Sequence, residues 1–445
     1  MIQPSLQIGG GEWAVKETKL LGTNPVLNEK LPVEIDVTNA TIGTRVNKEG
    51  IIEKGPRNLL TYSEDFSNAV WSKANISVNS NSIIAPDGTL TADKMTATTS
   101  DSYLQRTGFS FNSGDILTYS FYIKAVDIGF DSQVKFYDGT QNTNIAFTVT
   151  NEWQRVSRTF TASNTASYQF WIGGNGTLSI GENFYLWGAQ VEQSSEATEY
   201  YPTTTRTDLA RVDYSSGEAV LLIEPQRTNL ILQSEDYTSS SWVKTEISVT
   251  PNSILSPDGF LTADLISGSS INTRHFINQN LSQSAKTLSV FAKYGNHQFI
   301  QILTSGNANP VANYDILNGT ANMTGLNSTA SIQNYGNGWF RCILTTTETN
   351  AGDFFICFSI SLTDTRLPTT PGSLNIYLWG GMSENGAAFA SSYIPTLASA
   401  VTRNADVISK TGISDLINSE EGTFFVDARV FADDGVNRVI SLSDG

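Results

Sequence analysis

The chain has little of the side-chain chemistry on which most enzymes and metal sites depend. Its 445 residues include two histidines, His275 and His297, and two cysteines, Cys342 and Cys357. A histidine triad or a multi-histidine zinc site would need both histidines, and no nucleophile-elbow, zincin or P-loop motif is present. The cysteines lie on successive strand-like runs and are possible neighbours. Two cysteines provide no disulfide framework, and we favour buried free thiols because cysteine is often buried.

Positive charge is also scarce. The 27 lysines and arginines are outnumbered by 43 aspartates and glutamates, which gives a net charge of −16. We therefore expect no nucleic-acid partner, because the phosphate backbone requires a basic surface. The chain does not start with a basic stretch followed by an apolar core, and no window is apolar for long enough to span a bilayer. We expect a protein made in a cytoplasm without a signal peptide and without membrane insertion.

Short strands and turns dominate the remaining pattern. Residues 117–124 and 286–293 are matching runs rich in aromatic and β-branched side chains. Turn signals such as Asp87-Gly88 and Asn318-Gly319 separate runs of this kind. No stretch predicts an amphipathic helix of more than about three turns. The fold class is therefore predicted as all-β, with tandem antiparallel β-sandwich (jelly-roll) domains joined by short hairpins.

The chain contains two copies of one unit. NLLTYSEDF at 58–66 returns as NLILQSEDY 171 positions later, and PDGTLTAD at 86–93 returns as PDGFLTAD at the same offset. FYLWGAQVE at 184–192 returns as IYLWGGMSE, but 192 positions later. The growing offset indicates loop insertions in the second unit, which we call copy two. Repeats of this length are whole domains, and variable loops on a fixed scaffold are typical of binding modules.

A shorter repeat marks the domain boundaries. Hairpin-like segments at 45–57 and 211–227 precede the two copies, and Pro202 and Pro395 end their last strands. Because the final strand-like run stops in a turn, we expect the natural protein to continue past residue 445. We predict an N-terminal segment over 1–44, a hairpin and first sandwich over 45–205, a hairpin and second sandwich over 206–400, and the start of a third domain over 401–445.

The motifs together resemble a known group of proteins. The segments 58–66, Trp-x-Lys at 71–73, 86–93 and 184–192 resemble carbohydrate-binding-module-like sandwich domains of tailed-phage fibre and spike proteins. Residues 405–445 resemble the start of a concanavalin A-like or laminin G-like domain. The resemblance implies a virion protein of a head or tail fibre, a homotrimer, and host surface glycans as partners. It also implies that residues 1–44 dock onto other virion proteins; the alternative is a strand that completes the first sandwich.

Aromatic residues are the candidates for a glycan site, because sugar-binding modules stack aromatic rings on the apolar faces of sugars. Six of the eight tryptophans recur between the copies, which favours core packing for them. They are Trp71 and Trp242, Trp153 and Trp339, and Trp187 and Trp379. The unpaired aromatics are better ligand candidates. The carbohydrate-binding candidates are Tyr103, Tyr137, Trp171, Tyr294, Phe299, Tyr314 and Tyr335.

Recurring acids offer two further interpretations. Asp87 and Asp93, matched by Asp258 and Asp264, lie in loops rich in oxygen ligands and could hold a structural Ca²⁺. Pro-Asp-Gly turns explain Asp87 and Asp258 without a metal, and we favour the turn. No other cofactor is expected. Glycosidases need two carboxylates, which any acidic chain offers, and the recurring Glu64-Asp65 and Glu235-Asp236 pairs lie where capping or turn roles are expected.

Three hypotheses for function remain. The first is a non-catalytic phage fibre or spike protein that presents carbohydrate-binding sandwiches for host-surface attachment. The second is a structural head or tail decoration or connector protein that binds no glycan. The third is a capsule depolymerase whose catalytic part lies beyond residue 445.

Overall fold

A computed structural model describes most of the chain between residues 43 and 409. The described residues are 6–8, 19–21, 36–38, 43–55, 58–111, 113–174, 176–194, 196–204, 211–217, 220–281, 287–304, 310–324, 328–347, 352–385, 389–409 and 424–425. Every regular element among them is a β-strand, so the all-β prediction is confirmed. Within these same ranges there is no helix with the length and apolarity needed to cross a membrane.

The chain divides into two compact units. One is Pro56–Leu209, which holds copy one (residues 58–204); the other joins Met1–Gly55 to Ala210–Gly445 and holds copy two (residues 229–400). Copy one is thus an insertion between two parts of the other unit. The chain leaves and re-enters that unit at adjacent points, because a Cβ on Gly55 would lie 2.9 Å from Cγ of Arg211.

Copy one is a sandwich of two antiparallel five-stranded sheets. Five short strands precede it: β1 (Leu6–Ile8), β2 (Lys19–Leu21), β3 (Asp36–Thr38), β4 (Thr44–Val46) and β5 (Ile52–Lys54). Its own strands are β6 (Ser72–Ala74), β7 (Ile76–Ile83), β8 (Ala92–Ala97), β9 (Tyr103–Phe111), β10 (Ile116–Ala125), β11 (Phe130–Tyr137), β12 (Asn142–Val149), β13 (Gln154–Thr161), β14 (Ala166–Gly173) and β15 (Asn183–Glu192). The sheet orders are β13-β10-β15-β8-β7 and β12-β11-β14-β9-β6.

Copy two repeats this topology with additions. Three strands precede it: β16 (Arg211–Asp213), β17 (Val220–Leu222) and β18 (Arg227–Asn229). The sandwich strands are β19 (Val243–Thr245), β20 (Ile247–Ile254), β21 (Ala263–Gly268), β22 (Phe276–Asn280), β23 (Thr287–Tyr294), β24 (Phe299–Leu303), β25 (Val311–Asp315), β26 (Thr320–Met323), β27 (Ser328–Asn334), β28 (Trp339–Thr346), β29 (Asp353–Phe358) and β30 (Asn375–Glu384). The orders β20-β21-β30-β23-β28-β27 and β19-β22-β29-β24-β25-β26 match copy one, with β27 and β26 as extra edge strands.

Three further strands follow copy two: β31 (Val401–Arg403), β32 (Val407–Ser409) and β33 (Phe424–Phe425). Strand β31 pairs with β18, β32 pairs with β3, and β33 pairs with β1. Most of the predicted N-terminal segment (1–44) and third domain (401–445) lies outside the described residues.

The two sheets of each sandwich enclose one hydrophobic core. In copy one, the ring of Tyr119 on β10 lies 5.5 Å from that of Phe170 on β14 and 6.5 Å from that of Phe136 on β11. Five of the six recurring tryptophans are buried, and Trp153 is half-buried, which agrees with core packing. Cys342 and Cys357 are buried free thiols on opposite sheets of copy two, and burial raises the pKa of both.

One buried asparagine in each copy ties the first segment to the last strand. The Asn58 side chain makes four hydrogen bonds to backbone: its Nδ2 donates to the carbonyls of Ala189 and Tyr201, and its Oδ1 accepts from the N–H groups of Leu60 and Val191. Asn229 makes the same four bonds in copy two, at 2.8 to 3.1 Å. The asparagine of the repeated Asn-Leu motif is therefore structural.

The hairpin that precedes copy one, residues 43–55, packs within the unit that contains copy two. The N–H of Ile52 donates to the carbonyl of Pro257 at 2.9 Å. The hydroxyl of Thr44 donates to the carbonyl of Tyr393 at 2.6 Å. Both contacts join this hairpin to the loops of copy two.

Four buried charged side chains form ion pairs between the segments that flank copy two. Arg211 donates to Glu224 at 3.0 Å and also pairs with Asp406, while Arg403 pairs with Glu224. Burial alone would raise the pKa of Glu224, but the guanidinium groups of Arg403 and Arg211 hold it below its ordinary value. The group joins the hairpin β16–β17 to the chain that follows copy two.

Candidate functional site

The outer face of the sheet β12-β11-β14-β9-β6 in copy one carries an aromatic and polar cluster. Sheet pairing places Gln105 of β9 opposite Trp171 of β14, and Trp171 opposite Lys135 of β11. Successive side chains of a strand point to opposite faces of the sheet, and the residues next to these three fill the core. Gln105, Trp171 and Lys135 therefore point away from the core. Tyr103 and Gln169 lie two positions along the same strands. We call these five residues the Trp171 face.

Trp171 stands between an aromatic ring and a cation. The ring centroids of Tyr103 and Trp171 are 4.2 Å apart at an interplanar angle of 28°. Nζ of Lys135 lies 3.5 Å from the centroid of the indole. Since β14 lies between β9 and β11, the two neighbours cover opposite faces of the indole. The Trp171 ring thus lies between Tyr103 and Lys135 on the outer face of the sheet.

Tyr103 has a small neighbour on the side away from Trp171. Its partner on the edge strand β6 is Ala74, whose methyl group is too small to cover the phenol ring. Tyr103 is half-buried. The stacking surface of the Trp171 face is therefore Tyr103, backed by the indole of Trp171.

Two amides lie beside the aromatic pair. Oε1 of Gln169 accepts hydrogen bonds from Nε2 of Gln105 at 2.5 Å and from Nε1 of Trp171 at 3.2 Å. Within the described residues, Nε2 of Gln169 and Oε1 of Gln105 make no hydrogen bond, and both side chains are half-buried. The cluster therefore holds its own geometry and still presents donors and an acceptor to a ligand.

The same positions in copy two carry different chemistry. Sheet register places Phe276, Asn278, Leu303 and Phe355 where copy one has Tyr103, Gln105, Lys135 and Trp171. The two phenylalanine rings are 5.5 Å apart. The charged and aromatic cluster of copy one is thus replaced by an apolar one.

A longer connection covers this apolar cluster. The residues between β29 and β30 pass over it, and Leu367 packs against the cluster while the guanidinium of Arg366 lies 5.9 Å from the ring centroid of Phe355. The fully buried Gln301 fixes this segment, because its Oε1 accepts from the N–H of Leu367 at 2.8 Å and its Nε2 donates to the carbonyl of Thr365 at 3.0 Å. Leu367 is held at φ +52°, a left-handed conformation that is uncommon outside glycine.

The corresponding connection in copy one, residues 174–182 between β14 and β15, is shorter. The glutamine that matches Gln301 is Gln133, whose Nε2 donates to the carbonyl of Gly174 at 3.0 Å. Both copies therefore use a buried glutamine to hold this connection. The longer connection of copy two packs Leu367 against the apolar cluster on the outer face of its sheet.

The structure brings together the three ligand candidates of copy one. Tyr103 and Trp171 are in contact, and Tyr137 lies opposite Gln169 at the margin of the same face. Sequence reasoning missed Lys135, Gln105 and Gln169. Strict alternation along strands β9, β11 and β14 was the signal that could have found them.

The candidates of copy two do not form a site. Tyr314 is fully buried in the core, so its assignment as a ligand residue is wrong. Tyr335 packs edge-on against Phe291 at 4.9 Å. Tyr294 lies at the end of β23 on one sheet, and Phe299 begins β24 on the other.

The four candidate calcium ligands accept hydrogen bonds from the backbone. Asp93 accepts from the N–H groups of Phe66 and Asn81, both at 2.9 Å, and Asp264 accepts from the matching residues of copy two. Burial raises the pKa of Asp93 to about 6. Asp87 and Asp258 accept from the N–H two residues later, as Asx turns do. Among the described residues, no three potential metal-binding side chains of His, Cys, Asp or Glu lie together.

Comparisons with known proteins find similar solved structures but no matching sequence. No family model and no curated protein sequence matches the chain. Among solved structures, the tandem CBM22-1–CBM22-2 domain of Paenibacillus barcinonensis Xyn10C is 14% identical, covers 76% of this chain and 98% of its own, and has a TM-score of 0.29. A structure described as CBM4 is 15% identical, covers 29% of this chain and 83% of its own, and has a TM-score of 0.22.

A phage protein is also among these structures. The enzymatically active domain of bacteriophage CBA120 tailspike protein 4 is 11% identical over 31% of this chain and 21% of its own, with a TM-score of 0.26. All three TM-scores are below 0.5, so none of these likenesses carries an argument about function.

Proposed function

We propose that this chain is a non-catalytic component of a phage fibre or spike, and that the Trp171 face of copy one attaches the virion to a host surface glycan. The observation that carries the proposal is the contrast between the copies. One fold presents an aromatic pair beside two half-buried amides in copy one, and an apolar cluster against which its own chain packs in copy two.

The side chains of the Trp171 face match the chemistry of a sugar. The phenol ring of Tyr103 provides a surface for the apolar face of a pyranose, as aromatic side chains do at binding sites. The amides of Gln105 and Gln169 provide donors and an acceptor for hydroxyl groups. Binding sites of this kind combine aromatic surface with a few fixed polar groups.

The place in the particle rests on the sequence resemblance alone. The motifs at 58–66, 86–93 and 184–192 support a virion protein, with residues 1–44 docked onto other virion proteins and a homotrimeric assembly. Copy two, with its apolar outer face and its buried charges at the flanking segments, serves in this proposal as the structural unit that carries copy one.

The test is the binding of the labelled full chain to host cells before and after periodate oxidation of surface sugars. We expect binding that periodate abolishes and that Gln105→Ala weakens about tenfold, the loss of one good hydrogen bond. The matched control is Asn278→Ala at the corresponding position of copy two, which should bind as the wild type does. Binding that resists periodate contradicts the proposal.

A structural decoration or connector protein is the second candidate. It is favoured by copy two, where the corresponding face is apolar and Leu367, in the connection 359–374, packs against it. Absence of binding in both conditions, with a folded chain, would support this candidate.

A further inference from the structure

Lys135 occupies the centre of the Trp171 face and is almost completely buried. It is 7% exposed, and sheet register places it between Trp171 of β14 and Asn144 of β12. Its ammonium rests against the indole and makes no hydrogen bond within the part of the chain that the structure describes. Its three N–H donors thus lie at a candidate binding site, where the described residues provide no acceptor within hydrogen-bond distance.

Burial of most of the Lys135 side chain takes its ammonium partly out of water, which costs free energy. The loss of hydration is large unless an opposite charge or a set of acceptors replaces it. Contact with the Trp171 ring returns part of this free energy, because a cation is attracted to the face of an indole. Burial lowers the pKa of Lys135, and the charge of Asp101 offsets part of that effect.

The fold itself does not require a cation at this position. Copy two has Leu303 at the place of Lys135, on the same strand of the same sheet. There the position packs in an apolar cluster, against which Leu367 also packs. The charge therefore occurs in the copy with the polar and aromatic face, and the copy with the apolar cluster has leucine in its place.

We infer that the Trp171 face selects an acidic saccharide, one whose sugar units carry a carboxylate, and that the ammonium of Lys135 pairs with that carboxylate. This inference rests on the proposed function of the same face. Hydrogen bonds between charged partners are stronger than neutral ones. The net charge of −16 repels a polyanion at long range, so the affinity comes from local contacts of this kind.

The test is a glycan array in which each acidic polysaccharide stands beside its carboxyl-reduced, neutral form. The probes are the wild-type full chain, Lys135→Leu, which copies the residue of copy two, and Lys135→Arg, which keeps the charge. We expect the wild type to prefer the acidic form of its ligand by about tenfold or more, the range of a charge-assisted contact. We expect Lys135→Leu to lose that preference and Lys135→Arg to retain most of it.

The outcomes separate the two proposals. Binding only to neutral glycans, or equal binding to an acidic glycan and its reduced form, overturns the acidic specificity and leaves the glycan-binding function standing. A preference that survives in Lys135→Leu also overturns it, because another cation would then be responsible. No retention of any glycan by the folded wild type refutes the proposed function, and the acidic specificity with it.

Discussion

The ammonium of Lys135 lies 3.5 Å from the centre of the Trp171 indole, on the outer face of the second sheet of copy one. The residues at the same positions of copy two are Leu303 and Phe355, an apolar pair. A single fold thus supports two different surfaces. The difference follows from a few outward-facing positions and from the length of one connection.

The segment that closes copy two should contribute to its stability. Replacing residues 359–374 with the shorter 174–182 connection of copy one uncovers Phe276 and Phe355, so we expect increased binding of a hydrophobic dye such as ANS. Leu367→Ala alone should lower the free energy of unfolding by about 1–2 kcal/mol, for a half-buried leucine. Leu397→Ala is the control, because Leu397 is 76% exposed. Equal unfolding midpoints for the two variants would contradict the role of Leu367.

The buried asparagines should be among the most sensitive positions of each sandwich. Asn58→Ala removes four hydrogen bonds and leaves buried backbone groups unpaired, which should cost about 3–5 kcal/mol. Asn229→Ala should have the same effect on copy two. Denaturant unfolding followed separately for each copy measures both effects. The surface variant Asn142→Ala should lie within about 0.5 kcal/mol of the wild type; a loss below 1 kcal/mol for either buried asparagine would argue against this network.

Stability should depend on pH through the buried acids. Burial raises the pKa of Asp93 to about 6, and burial with the charge of Asp258 raises that of Glu235 to about 7. The folded state therefore holds these protons at a pH where the unfolded chain has released them. This contribution to stability is complete below about pH 4 and is lost as the pH rises through the folded pKa values, about 6 and about 7.

The measurement for this prediction is the unfolding midpoint of copy one at several values between pH 4 and pH 8, for the wild type and for Asp93→Asn. The slope in this window should be smaller in the variant, whatever its absolute stability. Asp138, whose pKa is lowered by hydrogen bonds from the backbone of Gln141 and Thr140, acts with the opposite sign and at lower pH. An identical slope in both proteins would show that Asp93 does not titrate in this range.

The insertion of copy one makes it removable. Deleting residues 56–209 joins Gly55 to Ala210, next to the point where Gly55 and Arg211 are already adjacent. We expect the remaining unit to fold with the unfolding midpoint that copy two has in the full chain. Circular dichroism and hydrogen exchange would measure this. An unfolded or aggregated product would mean that copy two depends on copy one.

Sequence alone was sufficient for the fold, and it also singled out two residues of the Trp171 face. The repeated motifs predicted two sandwiches, and the recurrence of tryptophans such as Trp71 and Trp242 agreed with core packing. Tyr103 and Trp171 were identified because they lacked partners in the other copy. The same reasoning failed for Tyr314, because sequence does not distinguish a buried tyrosine from an exposed one. The buried hydroxyl of Tyr314 makes no hydrogen bond among the described residues. The growing offset predicted insertions in copy two. It did not predict that one insertion would pack over the outer face of a sheet.

Calorimetric titration with a short oligosaccharide of the bound glycan measures whether the chain has one glycan-binding face. We expect one site per chain, and no detectable site in the double variant Tyr103→Ala, Gln169→Ala that still unfolds cooperatively. Two sites per chain, or one site that persists in this variant, would contradict this expectation.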